Sequence, residues 1–207
     1  MRTLPCRLAR ALLLVPILVA AAAPAIARDE WQQPDRVVAD LNLRDGAVVA
    51  DVGCGGGYFI ARLAKAVGKT GTVWAEDVSD RALKRLRQRA EKEAALANVK
   101  VVKGEAEATG LPDAALDAAL FVNVYHHVPE KHRAGLTADV VRALKPGGCV
   151  FLIDWRVDAK VKWDKDCRIP RDDLIAMMTE AGLTLDAEFL YLPHQVFLRF
   201  RKASAAK

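Results

Sequence analysis

The sequence has little cysteine, little histidine and few aromatic side chains: four Cys, four His and 6% Phe, Trp and Tyr in 207 residues. So few cysteines exclude a disulfide-stapled scaffold. Charged residues make up 28% and hydrophobic residues 52% of the chain, which excludes a disordered or low-complexity protein. Acids are missing altogether from residues 1–27, although the full chain has 26 of them against 31 Lys and Arg. The formal net charge of +5 invites a nucleic-acid reading, so its position along the chain matters.

Residues 1–27 hold Arg2, Arg7 and Arg10, then an apolar run from Ala11 to Ala23 broken only by Pro16, then Ala25-Ile26-Ala27. A basic start, a short apolar stretch and an Ala-x-Ala end are the marks of a secretory signal peptide. The run is short for a membrane span of about 20 residues. We therefore expect cleavage after Ala27 and a periplasmic or secreted domain over 28–207. The alternative is an uncleaved segment that anchors the protein to the membrane. Without its three arginines the charge falls from +5 to +2. Most of the basicity is thus an export signal, and no nucleic-acid partner is expected. The basic residues Arg81, Lys84, Arg85, Arg87 and Arg89 lack interleaved aromatics and read as a solvated helix face.

The remainder alternates strands and helices. A lead-in helix is expected over Trp31–Leu43, with Pro34 in its first turn. Strands are expected at Ala47–Gly53, Thr72–Asp77, Val99–Lys103, Leu116–Asn123 and Cys149–Trp155. Helices are expected at Ile60–Val67, from Ser79 as N-cap through about Leu96, at Glu130–Leu144 and at Pro170–Ala181. Thr184–Leu192 and Val196–Lys202 are joined by only three residues, so they form an antiparallel hairpin. The fold class is α/β: a Rossmann-like, doubly wound, mostly parallel seven-stranded sheet with one antiparallel strand and helices on both faces. Ligands in such sheets bind beyond the carboxyl ends of the strands.

The first strand runs into Asp51-Val52-Gly53-Cys54-Gly55-Gly56-Gly57. A dinucleotide fingerprint starting at Gly53 would need a third glycine at Tyr58, and one starting at Gly55 would need it at Ile60. A phosphate loop would need Gly-Lys-Ser/Thr, which is absent. The loop lacks the features for gripping a pyrophosphate.

An acid-G-x-G-x-G loop after an apolar strand resembles motif I of the class I S-adenosylmethionine-dependent methyltransferases. The resemblance extends to Asp77 at the end of the second strand, Gly104-Glu105-Ala106 after the third, LPDAALDAALFVNVYHHV (Leu111–Val128), LKPGG (Leu144–Gly148) and the closing hairpin. It covers roughly residues 30–202 and implies S-adenosyl-L-methionine as cofactor. It places Asp51, Gly53, Gly55, Gly57, Asp77, Glu105, Ala106 and Asn123 at the cofactor. The glycine backbone suits the amino-acid tail, and Asp77 suits the ribose hydroxyls. Glu76 competes with Asp77, but strand alternation points it the other way. Glu105 stands where the family often has Asp at the adenine. Asp51 has two available roles, binding loop amides or binding the ligand's ammonium.

The loop Asn123-Val124-Tyr125-His126-His127 follows the fourth strand at the expected active edge. His126 and His127 are candidate bases; adjacent residues are expected to point apart, so at most one would serve. Asp154, at the end of the fifth strand, is placed to orient a histidine, bind a cationic acceptor or cap the strand. Lys162–Arg168 (KWDKDCR) is expected to cover the acceptor pocket, with Trp163 and Arg168 as contacts. No metal site is expected, because the only other histidines are His132 and His194 and the local spacing matches no standard signature. The compact chain has no added domain to grip a macromolecule, which favours a small-molecule methyl acceptor. The alternative function is a non-catalytic periplasmic binding protein that keeps the cofactor fold.

Overall fold

A computed structural model of the chain describes residues 23–204. Helix α1 (Ala23–Gln32) and helix α2 (Pro34–Asp40) lead in, hinged at Gln33 in the left-handed region (φ 45°). The expected signal segment lies outside the described residues up to position 22. The cleavage point expected after Ala27 falls within α1. Among the described residues no helix is long and apolar enough to cross a membrane.

Strand β1 (Val48–Val52), helix α3 (Ile60–Ala66), strand β2 (Thr72–Asp77), helix α4 (Asp80–Ala90) and strand β3 (Val99–Lys103) build the first half. Strand β4 (Leu116–Val122), helix α5 (Glu130–Ala143), strand β5 (Leu144–Trp155), helix α6 (Arg171–Glu180), strand β6 (Leu183–Glu188) and strand β7 (Gln195–Lys202) build the second. The sheet order is β3-β2-β1-β4-β5-β7-β6. All neighbours run parallel except β7, which is antiparallel to both β5 and β6. The chain reverses its winding direction between β1 and β4, and the crevice there lies at their carboxyl ends.

Both sheet faces are covered, which is why β1 and β4 are apolar without alternation. One core packs Val37, Ile60, Leu63, Leu83, Leu86 and Phe197 between the sheet and α2–α4. The other packs Phe121, Val140, Leu174, Met178 and Leu198 against α5 and α6.

Four expectations differ. The single lead-in helix expected over Trp31–Leu43 is broken by left-handed Gln33 into the end of α1 and α2, which stops at Asp40. The α4 helix ends at Ala90, and a separate short 3-10 turn at Ala94–Leu96 carries Leu96 into the core. Two apolar residues, Leu83 and Leu86, anchor only the first half of the expected helix. The fifth strand begins at Leu144, not Cys149. Leu144 pairs with Leu116, and a bulge follows before Ala118 pairs with Cys149, so the KPGG segment ends the helix without ending the strand. The expected Thr184–Leu192 strand stops at Glu188, after a bulge between Leu185 and Ala187.

Candidate functional site

Two cavities open along the carboxyl edge of the sheet, and both are bounded by Gly53, Asn123 and Val124. The smaller, of about 620 Å³, is lined by Glu76, Asp77, Glu105 and Ala106. The larger, of about 860 Å³, is lined by Asp51, Gly55, Gly57, Trp155, Trp163 and Asp164. The eight residues expected at a cofactor therefore meet along one continuous crevice, although they come from four separate loops. His127 lines the smaller cavity. His126 and Asp154 stand behind the crevice wall, where both are buried.

The glycine loop bends for two different reasons. Gly53 has φ +69°, and a Cβ there would meet the Val124 side chain at 2.5 Å. Gly55 has φ +53°, and a Cβ there would meet nothing within 4 Å. Gly53 is thus demanded by packing, while Gly55 turns bare backbone toward open space. Close approach of a ligand to the loop is available at Gly55 and Gly56, which has the same open surroundings.

The acids at the end of β2 reach the loop together. Asp77 accepts from the Gly55 N–H at 2.7 Å through Oδ2 and from the Ser79 N–H at 2.7 Å through Oδ1. Glu76 accepts from the Gly53 N–H at 3.1 Å. It does lie on the other side of the strand from Asp77, yet its longer side chain still turns under the loop. Gly104 leaves room for it, since a Cβ there would fall 1.8 Å from Glu76 Oε1. Burial pushes the Glu76 carboxyl up to about 7. Asp51 lies deeper: burial, and then the charge of Glu76, push its carboxyl up to about 8. The Arg28 guanidinium opposes that rise and is itself lowered by burial. Asp51 accordingly favours any arrangement that brings a further positive charge to it.

Asn123 adopts φ 55°, a left-handed conformation that Asn tolerates better than most residues. Its backbone N–H donates to the Ile153 carbonyl at 2.8 Å, and its Oδ1 accepts from Gln195 Nε2 at 2.5 Å. Gln195 Oε1 in turn accepts from Gln32 Nε2 at 3.0 Å. This buried amide chain ties α1 and β7 to the crevice.

The histidines correct one expectation. Tyr125–His127 form a 3-10 turn, and the His126 and His127 rings lie 4.0 Å apart, both facing Asp164. Adjacent residues point apart in a strand, but a tight turn followed by tilted ring packing brings these two together. Asp154 orients His126, as one of its three expected roles had it. One oxygen bonds ring Nδ1 and the other accepts the His126 backbone N–H at 3.1 Å.

Arg168 is not placed as an acceptor contact. It donates to the carbonyls of Ala159, Val161 and Trp163 and clips its own loop together. Trp163 does line the larger cavity, in a cluster with Trp31 and Trp155 whose ring centroids are 5.3–5.9 Å apart. Sequence reasoning missed Arg28, Asp29 and Trp31, which come from α1, and Arg89, whose guanidinium reaches the Gly57 carbonyl. The missed signal was Trp31 and its neighbours, a rare aromatic beside a charged triplet just after the apolar run.

Residues 49–148 match the family described as "Methyltransferase domain". That domain implies S-adenosylmethionine as the cofactor. A 113-residue stretch is 33% identical to the ubiquinone/menaquinone biosynthesis C-methyltransferase of Citrobacter koseri, covering 55% of this chain and 44% of that protein. The chain therefore spans less than half the length of the curated relatives it matches. Among solved structures, a methyltransferase from Aquifex aeolicus described as SAM-dependent superposes with a TM-score of 0.78 at 24% identity, covering 84% of this chain and 92% of the other. A protein from Bordetella parapertussis described as possibly exported superposes with a TM-score of 0.67 at 19% identity, covering 87% and 70%. These likenesses extend the methyltransferase fold from the matched domain to most of the chain.

The crevice fits the cofactor that the matched domain implies. Open backbone at Gly55 and Gly56 is a cradle that a Cβ would fill. Asp77 and Glu105 offer carboxylates along the smaller cavity, and buried Asp51 offers a site for an ammonium.

Proposed function

We propose that this protein is a S-adenosylmethionine-dependent methyltransferase acting on a small-molecule acceptor. The observation that carries the proposal is the pair of cavities meeting at Gly53 and Asn123 beneath an open glycine backbone. The smaller cavity suits a nucleoside held by Asp77 and Glu105. The loop and Asp51 suit the amino-acid tail. The far wall of the larger cavity, formed by Trp31, Trp155 and Trp163, then faces the acceptor.

When bound, the cofactor supplies a methyl group on positively charged sulfur. The protein's task is alignment, which can remove about 7–11 kcal/mol of barrier. Asn123, held by Gln195, fixes the loop between the two cavities. The tryptophan wall offers flat apolar surface and excludes water. Where the acceptor atom carries a proton, His127, exposed at the crevice, is placed to take it. His126 braces that ring from behind.

We also propose export by the basic and apolar segment over residues 1–27, with the mature chain starting at Arg28. The support is sequence pattern alone.

Calorimetry on the purified protein with S-adenosylmethionine and with its demethylated product tests the first proposal. Stoichiometric micromolar binding of both is expected, and no binding at millimolar ligand overturns it. Mass spectrometry of the exported protein tests the second: an intact Met1 would contradict cleavage.

A further inference from the structure

Two 3-10 turns face one another behind the tryptophan wall. Tyr125–His127 presents both histidine rings, and Lys165–Cys167 with its preceding Asp164 presents a carboxylate and a thiol. Three residues per turn put Asp164 and Cys167 on the same side, and the Cys167 thiol lies 3.4 Å from the Asp164 carbonyl. One donor atom from each of His126, His127, Asp164 and Cys167 can be chosen so that all four lie within 4.8 Å of one another. His126 Nε2 is 3.5 Å from Asp164 Oδ2, and His127 Nε2 is 3.7 Å from Asp164 Oδ1.

The decisive atom is His126 Nε2. The side chain is fully buried, and this nitrogen has no hydrogen-bond partner. With the proton on Nδ1, the tautomer that the Asp154 carboxylate selects, Nε2 turns a lone pair toward the carboxylate oxygens of Asp164. Two lone pairs facing each other at this half-buried corner repel unless a positive centre, a proton or a metal ion, sits between them. A buried polar atom without a partner is costly, and here donor atoms of three further residues stand around it.

We propose that His126, His127, Asp164 and Cys167 bind one divalent transition-metal ion of the zinc class. Two imidazoles, a carboxylate and a thiolate suit zinc or cobalt, whereas calcium and magnesium take all-oxygen sites. Bonds of about 2.0–2.3 Å at tetrahedral angles place ligand atoms roughly 3.3–3.8 Å apart, and both histidine–carboxylate separations fall in that range. The widest separation, at most 4.8 Å, closes by about 1 Å through a rotamer change at exposed Cys167. Two outer partners are already in place. Asp154 holds His126 Nδ1, and Trp155 Nε1 donates to Asp164 Oδ2 at 3.2 Å. Such partners fix ligand orientation at metal centres. Asp164 also lines the larger cavity, so the ion would pin the loop carrying Trp163 across the crevice.

The proposal does not rest on the cofactor reading, but it is an alternative to the base role of His127, because an Nε2 bound to the ion has no lone pair for a proton; metal binding is its readout. The full-length protein is stripped with a chelator and titrated with zinc against a chromogenic competitor, then with cobalt. We expect one ion per chain with a sub-micromolar Kd, tetrahedral cobalt absorption in the visible and a thiolate-to-cobalt band in the near ultraviolet. Cys167→Ser, at an exposed position, should abolish the near-ultraviolet band. His126→Ala should weaken zinc at least 100-fold, and Asp154→Asn by roughly 10- to 100-fold. Circular dichroism confirms that each variant is folded. Absence of stoichiometric zinc binding by the folded wild type at micromolar metal overturns the proposal. A cobalt spectrum unchanged by Cys167→Ser removes the thiol from the site and overturns it as stated.

Discussion

Asp154 grips His126 twice, through the ring Nδ1 and through the backbone N–H at 3.1 Å. The same carboxylate accepts the Trp155 N–H at 2.8 Å within β5, while the two bonds to His126 lock the end of β5 to the loop after β4. A carboxylate in this position selects the imidazole tautomer. In nitrogen-15 spectra of the chelator-treated protein, His126 should show a protonated Nδ1 and a bare Nε2. Asp154→Asn should move the proton to Nε2, because the amide can donate to Nδ1. An unchanged tautomer in that variant would show that Asp154 does not set it.

The two acids at the end of β2 predict a graded pair of variants. Asp77→Ala removes acceptors of the Gly55 and Ser79 N–H groups and the carboxylate facing the smaller cavity. It should weaken S-adenosylmethionine at least tenfold by calorimetry, about 1.4 kcal/mol. Glu76→Gln keeps an oxygen for the Gly53 N–H and should cost less than threefold. The reverse order would assign the ribose to Glu76.

Gly53→Ala should be harmful before any ligand is added. The backbone is left-handed and the new methyl would overlap Val124. Strain and overpacking together should lower stability by about 2–4 kcal/mol, read from urea unfolding. Gly55→Ala meets no neighbour, so it should lose only the backbone term, about 1–2 kcal/mol.

The raised carboxyl of Asp51 predicts a pH dependence. Its folded value of about 8 lies above its ordinary value of 3.8, so the folded state holds the proton where the unfolded chain has released it. Stability contributed by this group is intact below about pH 4 and falls as pH rises toward 8. Asp51→Asn should flatten the loss between pH 6 and pH 8. A ligand ammonium beside Asp51 would lower its pKa, so cofactor binding at pH 7 should release a proton, measured by calorimetry in buffers of different ionisation enthalpy.

The amide chain Gln32–Gln195–Asn123 predicts coupling between the first helix and the crevice. Gln195→Leu leaves the buried Gln32 amide and the half-buried Asn123 amide without their partner and should destabilise by about 1–3 kcal/mol, read from urea unfolding. Gln32→Leu should cost less, since Asn123 keeps its bond from Gln195.

Alternating apolar strands and helices determined the α/β sheet from sequence alone, because period and turn chemistry are local properties. The loop after β1, Asp77, and the Gly104-Glu105-Ala106 turn were legible for the same reason: each is a short segment at the end of a strand, and strand ends of a parallel sheet share one edge. Helix and strand limits at Ala90, Leu144 and Glu188 were not legible, since tertiary pairing and core contacts set them. The sequence also could not show that α1 supplies Arg28 and Trp31 to the crevice, or that Glu76 turns under the loop beside Asp77. Above all, His126, His127, Asp164 and Cys167 match no metal spacing along the chain. Only the folding of β4 beside β5 brings their two turns face to face, and that packing decides whether four scattered side chains become one site.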